Sequence, residues 1–260
     1  SFGGNVSYIW GDYTKSIINS YSDEYVNTLS KFYSCSVSDF KYDLGAQFRQ
    51  SIGKNDDITL GGTYSFGYNL NSSPECLILS TNSQTAVSDT TTIKCDGPLA
   101  LPATWGVGVV WNHKDRLSLG FDFKTEQWGK LKYPAYSVVD DKPQYVLTEG
   151  MFKDRRKFNF GAQYCHNPFS RKWSDRIRYR IGAAYATPYL VVNGKNGPRE
   201  ISATVSVGLP ITNVYNNRSM LNVSARWVNQ SAPGMIKENT FMLCLGLTFN
   251  ERWFAKWEVQ

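Results

Sequence analysis

The stretch that decides the fold lies near the C-terminus and reads Phe241-Met242-Leu243-Cys244-Leu245-Gly246-Leu247-Thr248-Phe249-Asn250. Large apolar residues occupy its odd positions, while its even positions are mostly small or polar. Successive side chains of a β-strand point to opposite faces of the sheet. The period of two therefore predicts a strand with one apolar face and one polar face.

The same alternation recurs along the chain. It predicts ten strands, over 5–10, 40–49, 58–68, 105–111, 117–124, 158–164, 176–185, 201–209, 221–227 and 241–249. A strand that crosses a bilayer needs ~9–11 tilted residues, which fits these segments. The polar faces hold many Gly, Ser, Thr and Asn, as an enclosed wet interior would, whereas the outer face of a soluble sandwich is usually rich in Lys, Glu and Thr. We predict an all-β fold: a transmembrane antiparallel up-and-down β-barrel, with residues 1–260 as one domain.

The composition agrees with a barrel. Aromatic residues make up 15% of the chain and charged residues 19%, and the mean hydropathy is −0.38. No apolar run approaches the ~20 residues of a membrane helix, but a barrel crosses a bilayer with every second side chain alone. A net charge of +6 would allow a nucleic-acid or anionic-membrane partner. We expect no nucleic-acid partner, since the charges lie on barrel strands and in their turns.

The connectors should alternate in length. If the C-terminus lies in the periplasm, the short connectors 53–56, 112–115, 167–175 and 212–218 are periplasmic turns. The connectors 14–39, 71–103 and 130–154 are then long external loops, with shorter ones at 193–199 and 231–237. This parity predicts a bacterial outer-membrane protein with periplasmic termini and extracellular long loops. The chain opens on Ser1 without a signal peptide, so we expect it to be processed or truncated.

Five cysteines are distributed between loops and strands. Cys76 and Cys95 share one external loop, which predicts an intraloop disulfide in an oxidising compartment. Cys35 could be free or join another loop. Cys165 and Cys244 fall on the polar faces of two strands, where they read as small fillers. No CxxC or nearby His accompanies the loop pair, so we expect no metal site.

We find no group of residues in the sequence that predicts a catalytic site. The two histidines, His113 and His166, fall at periplasmic strand ends and read as turn or interface residues. The pair Asp140 and Asp141 reads as a solvated loop, and neither a phosphate-binding loop nor a nucleophile motif occurs. We therefore predict a protein that is not an enzyme and that needs no cofactor.

Charged residues on the polar faces are the candidate functional residues. Arg176, Arg178 and Arg180 are expected to project from one strand on the same face. The other lumen-facing candidates are Lys41, Asp43, Arg49, Asp122, Lys124, Glu126 and Arg226. A network of internal ion pairs that fills a narrow barrel is the favoured interpretation. An electropositive channel for carboxylate or phosphate headgroups is the alternative.

Four segments carry a family resemblance: residues 99–108 (LALPATWGVG), 199–211, 236–239 and 245–254. The first looks like the strand entry of the FadL-type outer-membrane channels for long-chain fatty acids and other hydrophobic compounds. The other three are similar to the Bacteroidota-type members of that family. Members of the family have fourteen strands and an N-terminal hatch. The resemblance implies that the ten strands are part of a fourteen-stranded barrel whose first four strands and hatch are missing from this chain.

Two functions follow as hypotheses. In the first, which the resemblance implies, the protein is a channel for hydrophobic or amphipathic molecules, with a fatty-acid-like ligand. In the second, the barrel is a non-catalytic subunit or scaffold of a larger outer-membrane complex of the secretion or barrel-assembly type. Its partners would then be the lipid bilayer and other envelope proteins, and fold alone does not separate these functions.

Overall fold

The computed structural model describes residues 1–23, 25–82, 84–140, 142–192, 194–211, 219–235 and 237–248. Several parts of the sequence predictions lie outside these residues: Asp141, the start of the 193–199 connector, the whole 212–218 turn, Ile236, the strand end at Phe249 and Asn250, and the segment 251–254.

The described residues form eighteen strands and two short 3-10 helices. The strands are β1 (Phe2–Asn19), β2 (Thr28–Ile52), β3 (Asp56–Ser65), β4 (Tyr68–Asn69), β5 (Glu75–Thr81), β6 (Ser88–Lys94), β7 (Ala100–Leu101), β8 (Thr104–His113), β9 (Leu117–Glu126), β10 (Tyr133–Val139), β11 (Lys142–Thr148), β12 (Arg155–Cys165), β13 (Arg178–Ala186), β14 (Val191–Val192), β15 (Lys195–Asn196), β16 (Arg199–Pro210), β17 (Met220–Ser231) and β18 (Glu238–Thr248). The helices are η1 (Trp128–Lys130) and η2 (Trp173–Arg176). No helix in the described ranges is long and apolar enough to span a membrane.

Ten long strands make one antiparallel sheet in which each pairs with the next along the chain. Their order is β1, β2, β3, β8, β9, β12, β13, β16, β17 and β18. Each of the ten predicted segments overlaps one of these strands, so the predicted up-and-down arrangement is confirmed. Two segments were predicted too long, because β3 ends at Ser65 and β13 begins at Arg178. Among the described residues, the outer edges of β1 and β18 are not paired with each other.

The two faces of the sheet differ as the alternation predicted. Phe160 lies opposite Phe121, and Tyr164 lies opposite Tyr179, so aromatic side chains line up across strands on one face. That face is exposed: Leu243 at the edge of the sheet keeps 85% of its surface accessible. A continuous exposed band of this kind is what a lipid-facing surface requires.

One end of the sheet carries only tight or compact connectors, and the other carries extra hairpins. We call the first the turn end, with connectors 53–55, 114–116 and 166–177. We call the second the hairpin end, where the predicted loops contain the hairpins β5–β6 and β10–β11. The connectors therefore alternate in length as predicted.

The first two strands are longer than predicted. β1 has 18 residues and β2 has 25, well beyond the ~9–11 that cross a bilayer. The segment 14–39, predicted to be a loop, continues the β1–β2 ladder as far as Asn19 opposite Leu29. The outer half of β2 then pairs with β5, which extends the sheet past the barrel strands.

Candidate functional site

The polar face carries a layer of paired charges near the hairpin end. Lys124 Nζ lies 3.0 Å from Glu126 Oε1, and the indole N–H of Trp128 donates to Glu126 Oε2 at 2.8 Å. Next to it, Glu200 accepts from Arg155 at 3.3 Å and lies 3.7 Å from Arg226. Lys124 and Glu126 pair along one strand, β9. Glu200 of β16 is reached by Arg226 from the neighbouring strand β17 and by Arg155 from β12, on the far side of β13.

Two further ion pairs stand on β2 and β3. Lys41 Nζ is 2.9 Å from Asp43 Oδ1, and Arg49 is 2.7 Å from Asp57 Oδ2. Ser51 also donates to Asp57. The predicted candidates Lys41, Asp43 and Arg49 are thus held in local pairs.

Arg180 is bound differently. Its Nε donates to Gln163 Oε1 at 2.8 Å, and its Nη1 donates to Asn222 Oδ1 at 2.7 Å. The guanidinium therefore ties β13 to β12 and β17 through uncharged amides. Arg178 lies two residues away on the same face, close enough to repel Arg180 electrostatically.

The prediction that Arg176 projects from this strand is wrong. Arg176 is the last residue of η2, in the turn before β13, and only 7% of it is exposed. In the sequence, the spacing of Arg176, Arg178 and Arg180 has the two-residue period of a single β-strand. The helical turn 173–176 interrupts the pattern, because the chain there packs against the end of β16, where Trp173 Nε1 donates to Pro210 O at 2.8 Å.

Asp122 has only small or uncharged residues opposite it on the two neighbouring strands. It lies opposite Gly108 on β8 and Asn159 on β12, and it makes no ion pair with a described residue. Two residues further along the strands, on the same face of the sheet, Gly161 lies opposite both Gly120 and Gly182. These three glycines form a shallow groove across three strands, which we call the glycine groove.

Sequence reasoning missed three of the charges that matter on this face: Arg155, Glu200 and Asp57. Arg155 is the first residue of β12 and Glu200 the second of β16, just outside the predicted segments. Asp57 is the second residue of β3 and falls between the predicted turn 53–56 and the predicted strand 58–68. The alternation itself could have found them, since Glu200 has the same parity as Ser202 and Arg155 the same parity as Asn159.

The predicted disulfide between Cys76 and Cys95 is not formed, and both residues are free thiols. Cys76 lies opposite Ile93 in the β5–β6 ladder, whereas the Cys95 amide donates to Pro74 O. The two cysteines therefore occupy diagonal positions, which are typically ~7–8 Å apart and beyond the usual Cα separation of a disulfide.

A small core holds the hairpins of this end together. Cys76 is fully buried and Tyr145 of β11 is 6% exposed against it, with Tyr33, Tyr136 and Cys95 packed around them. The ammonium of Lys31 lies 3.5 Å from the centre of the Tyr136 ring. Burial raises the pKa of the Cys76 thiol and, helped by Tyr133, of the Tyr145 hydroxyl. We call the outer halves of β1 and β2 with β5–β6 and β10–β11 the hairpin platform.

The remaining predicted residues have structural settings. Cys35 is buried beside the hairpin platform, Cys165 is buried under η2 and donates to Asp175 O, and Cys244 is exposed on edge strand β18. His113 pairs with Asp56 at 2.8 Å, and Tyr164 lies 3.4 Å from His166. No metal-binding group of His, Cys, Asp and Glu occurs among the described residues.

A cavity of about 220 Å³ opens where β3 ends. Its walls come from the short β4–β7 pair, from Gly67, from Ala103 before β8, and from Gln127, Lys130 and Leu131 after β9. Gly67 lets the chain turn here, since a Cβ at this position would lie 2.4 Å from the Ala103 nitrogen. Leu101 and Leu131 make the walls largely apolar, and Lys130 lines the opening.

A comparison with protein families decides the family of this chain. The profile described as BamG matches residues 1–259. The chain belongs to the BamG family. No curated protein matches this BamG-family chain.

Three solved structures are similar to this chain at low identity. The toluene transporter TodX of Pseudomonas putida matches with a TM-score of 0.55 and 13% identity, over 94% of this chain and 64% of TodX. The monoaromatic hydrocarbon channel CymD matches at TM-score 0.45 and 12% identity, over 88% of this chain and 74% of CymD. The RagAB peptide transporter gives 0.35 and 10%, over 93% of this chain and 35% of that chain.

The match to TodX supports the fold alone, and the BamG-family chain spans about two thirds of that transporter. It confirms the predicted fold class, a barrel of antiparallel strands. The polar face of the sheet is thus the inner face of a barrel, and the aromatic face is the outer one.

Proposed function

We propose that this protein is a bacterial outer-membrane β-barrel that works without covalent chemistry as a subunit of a larger envelope complex of the barrel-assembly type. The observation that carries the proposal is the hairpin platform. It has a core of its own, built around Cys76 and Tyr145, beyond the strand length that a bilayer requires. A preformed module of this kind offers a rigid surface to a protein partner.

The family supports the same proposal. The match extends over residues 1–259, and the designation BamG hints at a complex for barrel assembly. In this arrangement the hairpin end faces the cell exterior and the turn end faces the periplasm. The exposed aromatic face lies in the lipid.

A channel for hydrophobic molecules is the second candidate. The cavity of about 220 Å³ with its apolar walls and Lys130 favours it, since a small amphipathic ligand would fit such a site. The shared fold of the toluene transporter and the FadL-type resemblance are compatible with this role. In this candidate the chain would form part of a fourteen-stranded barrel.

The decisive experiment compares Tyr145→Ala with its neighbour Val146→Ala in the native cell. Tyr145 fills the core of the hairpin platform, so its truncation should loosen the platform by about 3 kcal/mol. Val146 points away and is 40% exposed, so Val146→Ala should leave the platform intact. The tagged proteins would be crosslinked in intact cells and analysed on native gels with mass spectrometry of the complex.

We expect the wild type and Val146→Ala to migrate with other outer-membrane assembly subunits, and Tyr145→Ala to migrate alone. Cells with Tyr145→Ala should also accumulate unfolded forms of other barrels, which heat-dependent gel mobility detects. If all three proteins migrate as monomers and other barrels fold normally, the complex proposal fails. Loss of uptake of a small amphipathic carboxylate in Lys130→Gln cells with normal barrel folding would instead favour the channel.

A further inference from the structure

We propose that Arg156, Arg199 and Lys237 form a docking surface on the outer face of the barrel for the phosphate groups of a phosphorylated glycolipid in the outer leaflet of the membrane. We call these three residues the cation row. The proposal goes beyond the subunit role and does not depend on the hairpin platform. It rests on the orientation given above, in which the hairpin end faces the cell exterior.

Arg156 and Arg199 lie on either side of Thr187. Ala186 of β13 is opposite the residue after Arg156 on β12 and the residue after Arg199 on β16. Thr187 is the next residue along the chain, and its amide donates to Arg156 O at 2.9 Å, which continues the ladder. The Arg156 amide in turn donates to Thr187 Oγ1 at 2.9 Å, so the hydroxyl hydrogen is left to donate to a ligand. Neighbouring strands are ~4.8 Å apart, so the backbones at the two arginines are about 10 Å apart.

Lys237 continues the row on the other side of β17. Arg199 lies opposite Ser231, and the residue after Lys237 pairs with the residue before Ser231. The same register places Lys237 beside Ser231, so a hydroxyl residue again separates two cations. Lys237 also has the parity of Phe241, which belongs to the exposed aromatic face.

The cation row lies where the lipid-facing length of the strands ends. Arg156 shares its face with Phe158, and Arg199 shares its face with Ile201. On β12 the outward residues run from Arg156 at the hairpin end to Tyr164 at the turn end. That length matches the ~9–11 tilted residues that cross the hydrocarbon, so Arg156 stands at the external boundary of the bilayer. All three cations are exposed.

Carboxylates near the row are turned away from it or already bound. Glu200 and Glu238 alternate with the row along their strands and therefore point to the inner face. Asp154, two residues before Arg156, accepts from the Gly129 amide at 2.9 Å. The ion pairs of the described chain involve other cations. Within that part of the protein, the row is an uncompensated positive patch beside an apolar surface.

Position and charge together define the ligand. Guanidinium groups bind phosphate through two parallel hydrogen bonds, and cations at a membrane boundary attract anionic lipid headgroups. Because barrel strands are tilted, a row of the sheet crosses the membrane boundary obliquely, and its members lie at different depths. A sugar headgroup with more than one phosphate spans such a row, whereas a headgroup with a single phosphate reaches only part of it. The acyl chains of the glycolipid would pack on the outward apolar residues below the row.

The test measures lipid binding to the full chain in neutral maltoside micelles, by titration followed with native mass spectrometry. The probes are lipid A with two phosphates, the same lipid A with both phosphates removed, and dioleoyl phosphatidylglycerol. We expect diphosphorylated lipid A to bind at least tenfold more tightly than the dephosphorylated form and at least fivefold more tightly than phosphatidylglycerol. Equal binding of the two forms of lipid A overturns the proposal. Binding of phosphatidylglycerol as tight as that of diphosphorylated lipid A overturns the assignment to a glycolipid of the outer leaflet.

The double variant Arg156→Gln/Arg199→Gln should lose at least tenfold in affinity for diphosphorylated lipid A and none for the dephosphorylated form. The matched control is Arg171→Gln/Lys172→Gln, which removes the same charge from exposed positions at the turn end. It should change the affinity less than twofold. An unchanged affinity in the first double variant, or an equal loss in the control, contradicts the proposal.

Single variants separate binding from folding. Arg156→Gln and Arg199→Gln each remove an exposed side chain that makes no ion pair with a described residue. Each should fold normally, as heat-dependent gel mobility shows, and lose about threefold in affinity for diphosphorylated lipid A, with a smaller loss in Lys237→Gln. If all three bind this lipid like the wild type, the docking surface does not exist.

The test is independent of the test of the complex. The double variant Arg156→Gln/Arg199→Gln leaves the core around Tyr145 intact, so it should migrate with the other assembly subunits as Val146→Ala does. Loss of lipid binding with normal migration supports the docking surface alone. Normal lipid binding in a protein that migrates as a monomer would reject the complex and leave the docking surface standing.

Discussion

The inner face of the barrel holds two charged regions that differ in what lies across the strands. Around Glu200, two arginines from β12 and β17 converge on one carboxylate. Around Arg180, the partners are the uncharged groups of Gln163, Asn222 and Met220. Both regions follow the same alternation along the chain, so the difference comes from the register of the strands. Whether a charge on the inner face is compensated therefore depends on the residues that the surrounding strands bring next to it.

The largest effect should come from removing the shared carboxylate of the compensated region. Glu200→Gln leaves Arg155 and Arg226 without their anion, which should lower the free energy of unfolding by about 2 kcal/mol. Urea unfolding in micelles, followed by tryptophan fluorescence, measures it. Glu238→Gln is the control, because Glu238 is exposed and makes no ion pair with a described residue. Equal stability of the two variants would contradict the contrast between the regions.

A second variant should turn the uncompensated region into a compensated one. Ser206 lies directly opposite Arg180, so Ser206→Asp places a carboxylate beside the guanidinium. We expect a gain in unfolding free energy of about 1 kcal/mol, measured by urea unfolding in micelles. Ser206→Asn, which has nearly the same shape without the charge, should leave the unfolding free energy unchanged. Equal stability of Ser206→Asp and Ser206→Asn would show that Gln163 and Asn222 already satisfy Arg180.

The smallest effect is expected for the outer member of the compensated region. Arg226 lies 3.7 Å from Glu200 and its side chain is 40% exposed, so Arg226→Gln should cost about 0.5 kcal/mol or less. Arg155 remains to hold the carboxylate. A double-mutant cycle of Arg226→Gln with Glu200→Gln measures the coupling directly. A coupling well above 1 kcal/mol would mean that the pair is more enclosed than its exposure indicates.

Much of the fold could be predicted from the sequence because its signal is local. Apolar and polar residues alternate from Phe241 to Thr248 with the two-residue period of a β-strand. The same period predicts the positions of ten strands, and within them it predicts that residues such as Phe160 and Arg180 lie on opposite faces of the sheet. The pattern failed where local geometry departs from a strand. Arg176 follows the parity of Arg178, but η2 takes it out of the sheet.

Contacts between segments distant in the chain could not be predicted in this way. Tyr145 packs on Cys76 because the β10–β11 hairpin docks on the β5–β6 hairpin. The sequence of neither hairpin indicates that the other is its packing partner. The diagonal placement of Cys76 and Cys95 also depends on the register of the β5–β6 hairpin. The same sequence could pair in registers that differ by one or more residues, and each register would bring different residues opposite one another.

The two-residue repeat of a single strand is enough to predict a β-barrel and to predict which side chains within each strand share a face. That Arg155 meets Glu200, 45 residues away, while Arg178 and Arg180 meet no described carboxylate, follows from how the strands pair and in which register. The electrostatic energy of a charge depends on the groups within a few ångströms of it, and the pairing of the strands determines those groups.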